Sequence, residues 1–305
     1  MTLRFVDTPE IQSLLDKLSG ADAVSGDPRL KTIIRRIVGD LFATIDELDV
    51  TEDEFWSALN FAATGAQEYG LWAAGLGIER FLDIRADAKD QAAGMDGGTP
   101  RTIEGPLYVA GAPEAQGFAR LDDGTDHGEQ LFMHGQVRGV GGKPVAGAKV
   151  EVWHANTLGN YSFFDKTQSD FNLRRTIVTD AEGRYAFRSI VPSGYSCPPG
   201  GSTEAILKAI GRHGHRPAHI HFFVSAENHR HLTTQINIDG DPYLRDDFAY
   251  ATREELIPAV VHRDGGAPGA DFGVEGKYAD IAFDFVLQPA KTHEEEEASS
   301  RPRAA

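Results

Sequence analysis

The first hundred residues carry apolar side chains at helical spacing. Between Leu30 and Leu48 they recur every three or four positions, which predicts one long helix with a broad apolar stripe. A Thr-Pro pair at residues 8–9 predicts the start of an earlier helix, and a capping box at Thr51–Glu54 predicts the start of a later one. Residues 71–84 are also apolar, although two glycines weaken the helical prediction there. Stripes of this kind usually pack against another helix or another subunit.

After a turn-rich boundary at residues 94–100, the apolar pattern shortens to the period of β-strands. The candidate strands are separated by Gly, Asp and Pro turns and cover residues 131–137, 148–154, 176–178, 185–187, 219–224, 232–238 and 281–287. Many short strands with such turns are typical of a β-sandwich or barrel. The sequence therefore predicts an α+β fold, with a helical domain over residues 1–100 and an antiparallel β-sandwich over residues 101–290. The glutamate-rich end, residues 291–305, is predicted to be a disordered acidic tail.

The stretch from Arg216 to Val224 is the one on which the functional interpretation centres. In a strand, side chains alternate between the two faces, so His219 and His221 point to one side and the apolar residues between and after them to the other. Two imidazoles on one face of a rigid strand form a ready pair of metal ligands. The alternative is that they are two histidines on a half-buried sheet face, and at this point both interpretations stand.

The other candidate ligands are less easily chosen. Two further His-x-His pairs, at residues 213–215 and 229–231, lie in predicted loops, which favours the pair in the strand. The residues after His221 lack the acidic groups expected of a metallo-hydrolase or a cupin, and one cysteine cannot form a multi-cysteine zinc site. Carboxylates and tyrosines remain as the candidates for the other metal ligands. Tyr161 and Tyr195 both lie in turn-rich loops, where the alternative role is to pack a loop onto the sandwich.

Composition and charge narrow the class of protein. With 41% hydrophobic and 25% charged residues, the 305-residue chain has the composition of an ordinary globular protein. A formal net charge of -16 argues against nucleic acid and anionic membranes as partners, and no DNA-type basic patch is expected. Cys197 is the single cysteine, so no intrachain disulfide can form, and no apolar run approaches transmembrane length. The first residues lack the apolar core of a signal peptide, and a cytoplasmic location is expected.

Several motifs, in order along the chain, resemble the signature of the intradiol ring-cleavage dioxygenases. They lie at residues 103–113, 152–156, 159–162, 193–199, 216–222 and 241–243. The resemblance covers nearly the whole chain, including the helical part, and is strongest to the branch that cleaves catechol. One small departure is Ser196, where many relatives have glycine. A small loop residue remains there, so the resemblance of the site is not affected.

The resemblance implies a non-haem Fe(III) and a set of residues around it. The implied metal ligands are Tyr161, Tyr195, His219 and His221. Tyr195 is further implied to leave the metal and take a substrate proton, Arg216 to stabilise developing carbanion charge, and Gln235 to act as an outer hydrogen-bond donor. The alternatives are that Arg216 only pairs with a carboxylate and that Gln235 only satisfies a loop.

The family positions also imply a flat, mostly apolar substrate pocket. Its residues are Leu71, Ala74, Ile103, Pro106, Leu107, Cys197, Phe248 and Ala249. The implied reaction is cleavage of catechol by O₂ to cis,cis-muconate in bacterial aromatic degradation. Hydroxyquinol or chlorocatechol cleavage is the alternative, since the small Ala74 leaves room for a ring substituent, whereas residues 107–109 and 122–125 favour catechol. Two alternative functions lie outside the dioxygenases. They are a non-catalytic β-sandwich binding module and a cupin-like metal isomerase.

The resemblance gives the N-terminal helices a role as well. In this family the first helices of two subunits form an apolar tunnel that contains phospholipid. The implied partners are therefore catechol, O₂, a second copy of the chain and a phospholipid at the dimer interface. The apolar stripe from Leu30 to Leu48 would line that interface.

Overall fold

The computed structural model describes residues 5–290, so the predicted acidic tail lies outside the described residues. The chain forms two compact units, which divide after Gln67. The predicted domain boundary at residue 100 falls within the second unit and stays a prediction. Within residues 5–290, no helix is both long enough and apolar enough to span a bilayer.

The first unit contains three α-helices among the described residues, which lie where the sequence predicts helices, although the second begins two residues before the predicted stripe. They are α1 (Pro9–Leu18), α2 (Pro28–Glu47) and α3 (Glu52–Thr64). The backbone N–H of Glu54 donates to Oγ1 of Thr51, and the Glu54 carboxylate accepts from the Thr51 N–H, so the predicted capping box is confirmed. Much of the apolar stripe of α2, including Leu30 and Ile37, is exposed on this single chain.

The second unit contains the remaining helices, α4 (Tyr69–Gly75), α5 (Ile78–Ala92) and α6 (Ser202–Ala209). The predicted apolar segment 71–84 is divided between α4 and α5. Helix α6 was not predicted. Its N-terminus is held by Glu68, whose carboxylate accepts from the backbone N–H groups of Ser202 and Thr203. This contact fastens α6 to the start of α4.

The described strands form two large sheets and one small one. They are β1 (Glu114–Gln116), β2 (Phe118–Arg120), β3 (Gln130–Gly139), β4 (Lys149–His154), β5 (Arg174–Val178), β6 (Arg184–Ile190), β7 (Tyr195–Ser196), β8 (His215–Arg216), β9 (His219–Ser225), β10 (Leu232–Asn237), β11 (Val261–Asp264), β12 (Lys277–Ala282) and β13 (Phe285–Leu287). One sheet has the order β1-β5-β4-β9-β10 and the other β11-β12-β3-β6-β2, with β13 also paired to β3. Strands β7 and β8 pair with each other.

The two large sheets pack face to face, which confirms the predicted sandwich. Their shared core is built from alternate residues of each strand, among them Val150, Val152, Ile220 and Phe222 from one sheet and Leu131, Met133, Phe187 and Ile281 from the other. The residues between these positions point outward. In the sheet that contains β9, the outward side chains form the candidate site.

The pairing is mixed where the sequence predicts antiparallel strands. The central pairs β3–β6, β4–β5, β4–β9 and β9–β10 are antiparallel, whereas β1, β2, β12 and β13 each join a neighbour in parallel. The single predicted strand at 281–287 is also two strands. The chain leaves the ladder at Phe283, whose carbonyl accepts a hydrogen bond from Tyr185 Oη at 2.8 Å.

Candidate metal centre

Strand β9 holds its two histidines in a fully covered sheet. It lies between β4 and β10, with Trp153 opposite His221 on one side and Gln235 opposite it on the other. Ile220 belongs to the sandwich core, so His219 and His221 project from the outer face, and both are 1% exposed. The sequence pattern predicted this alternation, but the outer face is buried rather than half-buried.

The Nε2 atoms of the two imidazoles face each other on the outer side of the sheet. Nδ1 of His219 lies 2.6 Å from the carbonyl oxygen of Pro217, and because a carbonyl only accepts, Nδ1 is the donor and Nε2 is unprotonated. Burial lowers the pKa of His219 to about 3, and it lowers the pKa of His221 well below its usual range, so both rings are neutral. The ring of His221 stacks on Trp153 at 4.9 Å with an interplanar angle of 5°.

Two loops bring Tyr161 and Tyr195 beside these histidines. The two phenol rings lie 5.6 Å apart at 88°, and the Tyr195 ring lies 5.4 Å from the His219 ring. Tyr195 reaches this position because β7 pairs with β8, which immediately precedes β9. Gly159 permits the approach of the other loop, since a Cβ there would lie 2.8 Å from the Cβ of Tyr195.

The hydroxyl of Tyr161 is buried without a hydrogen bond of good geometry to any described residue. Burial and the nearby Tyr195 raise the pKa of Tyr161 well above its usual range. A buried hydroxyl without a partner is unfavourable. Deprotonation and bonding to a cation would give this oxygen the partner that the protein does not supply.

The donor set fits a hard trivalent metal ion. The Nε2 atoms of His219 and His221 lie 3.0 Å apart. Two nitrogens at roughly 2.1 Å from one metal ion, a usual imidazole distance, would be about 3.0 Å apart if they bound at right angles. Phenolate oxygens are hard anionic donors, and imidazoles also bind iron. Within residues 5–290, no group of three or more His, Cys, Asp or Glu side chains could hold a metal ion. The candidate centre combines two tyrosines with two histidines.

Arg216 lies at the edge of this set and is held from three sides. Its Nε and Nη2 atoms donate to the two carboxylate oxygens of Asp247, both at 3.2 Å. Nη2 also donates to Oε1 of Gln235 at 2.7 Å, and Nη1 donates to Nε2 of His219 at 3.0 Å. Burial alone would lower the pKa of Arg216, but the charge of Asp247 raises it, so the guanidinium is a permanent cation. Arg216 therefore both pairs with a carboxylate and contacts a predicted ligand.

Gln235 is part of the same network. It is completely buried, its Oε1 accepts from Arg216, and its Nε2 donates to Oδ1 of Asn237 at 3.1 Å. The side-chain amide of Gln235 therefore bonds to two other side chains, those of Arg216 and Asn237. Its catalytic role stays a prediction.

Most of the predicted pocket residues lie together. One apolar cluster contains Leu71, Ala74, Ile103, Cys197, Phe248 and Ala249. Leu107 packs instead on a second cluster that includes Tyr161 and Tyr195. Pro106 is exposed and belongs to neither cluster. The preceding residue, Gly105, lies close to His221, since a Cβ there would be 3.6 Å from the imidazole Cε1. Pro106 is thus at the open side of the centre.

Sequence reasoning missed three residues around this centre. Asp247 pairs with Arg216 from an irregular segment that has no periodic pattern. Trp153 was recognised only as part of a motif, although its pairing with His221 across neighbouring strands makes the stacking a direct result of register. Arg174 was not considered. It stands next to Arg175 at the start of a five-residue strand, so no pattern in the sequence distinguished it.

Comparison with known proteins agrees with this geometry. A family model described as "Dioxygenase" matches residues 103–289, and one described as "Catechol dioxygenase N terminus" matches residues 27–94. The chain is 64% identical to catechol 1,2-dioxygenase 2 of Acinetobacter lwoffii over 252 residues, which cover 82% of this chain and 92% of that protein. The crystal structure of catechol 1,2-dioxygenase from Pseudomonas arvilla C-1 aligns with a TM-score of 0.91 and 57% identity, covering 99% and 98% of the two chains.

Relatives with another named substrate are less similar. A hydroxyquinol 1,2-dioxygenase of a Rhizobium species is 33% identical over 293 residues, which cover 93% of this chain and 96% of that protein. The matches span both the helical part and the strand-rich part of the chain. The chain therefore belongs to the intradiol ring-cleavage dioxygenase family.

Proposed function

We propose that the protein is an iron(III)-dependent catechol 1,2-dioxygenase, which uses O₂ to cleave catechol between its two hydroxyl-bearing carbons and releases cis,cis-muconate. The observation that carries the proposal is the convergence of two tyrosines and two neutral histidines beside a buried, charge-paired arginine. Higher identity to relatives named for catechol than to those named for hydroxyquinol supports catechol as the substrate. A role in bacterial aromatic degradation is part of the proposal.

Enzymes of this family depend on non-haem iron, and the residues that would hold it here are Tyr161, Tyr195, His219 and His221. Two phenolates and two neutral imidazoles leave one net positive charge on a ferric ion, which a hydroxide can cancel. When bound, the ferric ion acts as a Lewis acid that activates the diol toward O₂. Carboxylate-poor, phenolate-rich ligation favours the ferric state over Fe(II).

The two tyrosines have different environments, which suits different roles. Tyr161 is buried, whereas Tyr195 is partly exposed and lies in the short β7 strand. We assign Tyr195 as the group whose phenolate oxygen accepts a proton from a catechol hydroxyl. Tyr161 remains as a fixed anionic donor. A basic group placed at the hydroxyl that it deprotonates is the usual arrangement in general base catalysis.

Arg216 supplies a fixed positive charge beside the substrate ring. Asp247 and Gln235 hold its guanidinium in place before substrate arrives, so no reorganisation is needed when charge develops on a ring carbon. The apolar cluster around Ala74 and Phe248 forms a wall that can hold a flat ring and exclude water. These residues bind and orient the ring, and Arg216 stabilises the negative charge on it.

The colour of the purified protein tests the ligand assignment. We expect one iron per chain and a visible tyrosinate-to-iron charge-transfer band, measured by elemental analysis and absorption spectroscopy. Tyr161→Phe is expected to lose most of this band without destabilising the metal-free protein, because Oη of Tyr161 lacks a good hydrogen bond. The matched control is Tyr108→Phe, which removes a nearby phenol that bonds Glu151 instead. An iron-loaded, active, colourless protein would refute the assignment.

Hydroxyquinol or chlorocatechol cleavage is the second candidate activity, and the small side chain of Ala74 in the apolar wall is the feature that favours it. Initial rates on the three diols distinguish these activities. A higher kcat/KM for either substituted diol would reverse the substrate assignment. A protein that binds no iron and cleaves none of the diols would instead support the non-catalytic binding module.

The proposal includes a homodimer formed through the N-terminal helices, with phospholipid in the apolar interface. The exposed stripe on α2, which includes Leu30, Ile33, Ile37 and Leu41, supports it, because an isolated surface rarely exposes such a contiguous apolar row. Analytical ultracentrifugation and mass spectrometry of extracted lipid test the two parts separately. A monomer at micromolar concentration would contradict the first part. A cytoplasmic location, where Cys197 stays reduced, is also proposed.

A further inference from the structure

A buried arginine, Arg174, lies beside the proposed metal centre but is neither a proposed ligand nor a proposed substrate-binding residue. It is the first residue of β5 and is 1% exposed. In the sheet register Arg174 lies opposite Trp153, and Trp153 lies opposite His221. Arg174, Trp153 and the proposed ligand His221 therefore lie side by side on three neighbouring strands.

Arg174 has no carboxylate partner among residues 5–290. Its Nε donates to Oγ of Ser162 at 2.9 Å and its Nη2 to the Ser162 carbonyl at 3.1 Å. Its Nη1 is buried without a hydrogen-bond partner in the described part of the chain. Arg216, the other arginine at this centre, differs because it is paired with Asp247. Arg174 is thus a buried cation that lacks an anion, which is an unfavourable state unless a counter-charge is provided.

The guanidinium remains charged despite its burial. Burial lowers the pKa of Arg174 to about 10, which is still above neutral pH. The groups that oppose this shift are the phenols of Tyr161 and Tyr108. Of the two described rings that lie beside the guanidinium, those of Tyr161 and Phe163, only Tyr161 can lose a proton and become an anion.

Tyr161 is the tyrosine with which Arg174 makes contact. The Cζ atom of Arg174 lies 5.8 Å from the centroid of the Tyr161 ring, within the range of a cation–π interaction. A phenolate ring carries more negative charge than a phenol ring, so the attraction increases when Tyr161 loses its proton. The Tyr161 hydroxyl also lacks a good hydrogen bond. Among the described residues, a buried cation with no carboxylate partner therefore lies beside a buried hydroxyl with no hydrogen bond of good geometry. Arg216 also acts on Tyr161, but its charge is already paired with that of Asp247.

We infer that Arg174 is a positioning residue whose positive charge is the counter-ion of the Tyr161 phenolate in the iron-loaded protein. It keeps this tyrosine bound as an anion and sets the energy of its charge-transfer transition. The inference rests on the proposed function, because it requires Tyr161 to be a ligand. It goes beyond that function in naming the residue that balances the charge of one ligand.

Two substitutions separate charge from structure. Arg174→Met removes the charge and keeps the length of the side chain, whereas Arg174→Lys keeps the charge and loses the planar contacts to Ser162. The iron-loaded variants are compared by iron content and by the position of the charge-transfer band. We expect Arg174→Met to shift the band to longer wavelength, because the ring that donates the electron loses a stabilising cation. Arg174→Lys should keep the band near its original position.

The neighbouring residue provides a matched control. Arg175 is on the same strand, is less buried, and donates to the backbone carbonyls of Phe171 and Arg174. Successive strand residues point to opposite faces, so Arg175→Met removes a charge from the same strand without removing it from Tyr161. This variant should keep the original band.

The outcomes are distinct. An Arg174→Met protein with full iron and an unchanged or shorter-wavelength band would overturn the inference, as would equal loss of iron in the Met and Lys variants, which indicates a structural role. If Arg174→Met does not fold, Arg174→Gln is the neutral variant, since its amide can still donate to Ser162. Failure of both neutral variants to retain iron while Arg174→Lys retains it supports the charge requirement. An unsubstituted protein without iron or a band would refute the proposed function itself.

Discussion

Among individual residues, Asp247 has the most direct control over the proposed substrate-side charge. Its side chain is 1% exposed and accepts from Arg216 and from the backbone N–H groups of Ala249 and Ala251. Burial would raise the pKa of Asp247, but the charge and hydrogen bonds of Arg216 lower it. The same carboxylate therefore fixes the arginine and the backbone of the pocket wall that carries Ala249.

Asp247→Asn should impair turnover more than iron binding. The substitution leaves Arg216 buried without a counter-ion, which is expected to destabilise the protein by about 3 kcal/mol. Because Arg216 loses its fixed orientation, kcat should fall by roughly 10- to 100-fold while the charge-transfer band is retained. Steady-state kinetics on protein of equal iron content measures this effect. Asp246→Asn, at the exposed neighbouring position, is the control, and normal turnover in Asp247→Asn would contradict the role given to the pair.

His154 makes stability depend on pH. It is buried, with its ring nitrogens bonded to the Ala155 carbonyl and to Oγ of Ser189, and burial lowers its pKa to about 4. In the unfolded chain a histidine has a pKa of roughly 6.5, so between these values the unfolded state binds more protons. The contribution of His154 is therefore complete above pH 6.5 and is lost as the pH falls toward 4.

This dependence can be measured by urea unfolding at pH 7 and pH 5. His154 alone should lower the free energy of unfolding by about 2 kcal/mol between these two pH values. In His154→Gln, whose amide can still bond Ser189, the decrease should be smaller by about that amount. An identical decrease in both proteins would show that His154 does not carry this titration.

The sequence pattern predicts some of the site residues but not others. His219 and His221 follow from alternation in an apolar strand, which is a local property. Tyr161 lies in a loop and Tyr195 in a two-residue strand, neither of which has a periodic pattern, and only the resemblance to a family selected them. Asp247 could not be found from pattern, because its pairing with Arg216 is set by tertiary packing.

Among the structural elements, the two ligand-bearing loops depend on a close approach at Gly159. Its φ of +79° favours glycine, and a Cβ would lie 2.8 Å from the Cβ of Tyr195. The loop that ends in Tyr161 can thus lie directly against the strand that begins with Tyr195. This approach fixes the spacing of the two phenols.

Gly159→Ala should weaken iron binding by separating these loops. A suitable control is Gly142→Ala, because Gly142 has a similar φ of +77° and a Cβ added there would meet no atom within 4 Å. Both variants should lose about 1 kcal/mol from backbone strain. Only Gly159→Ala should also lose iron on dialysis against a chelator, followed by elemental analysis. Equal iron retention in the two variants would contradict the proposed importance of the approach.

The predictability of the elements follows from their length and surroundings. The long helix α2 and the central strands have clear periodicity, and their positions agree with prediction. Helix α6 has only eight residues and depends on Glu68, which is distant in sequence, for its N-terminal hydrogen bonds. The edge strands β1 and β2 are three residues each, which is too short for a periodic signal.

For the whole molecule, the sandwich is the scaffold that makes the site rigid. Strand β9 has its inner face in the sandwich core and its outer face under the loops that carry the tyrosines. The apolar wall is added by α4, by the segment around Ile103 and by the chain after Asp247. Sites held by strands in a packed sheet keep their geometry more accurately than sites on loops alone. Here the large sheet supplies the histidines, and a loop and the short strand β7 supply the tyrosines.

The activity proposed for this scaffold is intradiol cleavage of catechol. The most direct measurement follows O₂ uptake with an oxygen electrode and muconate absorbance in the same reaction, using iron-loaded protein and a known amount of catechol. We expect each catechol to consume one O₂ and to yield one cis,cis-muconate. Absence of O₂ uptake, or uptake that yields a ring-opened semialdehyde instead of muconate, would contradict it.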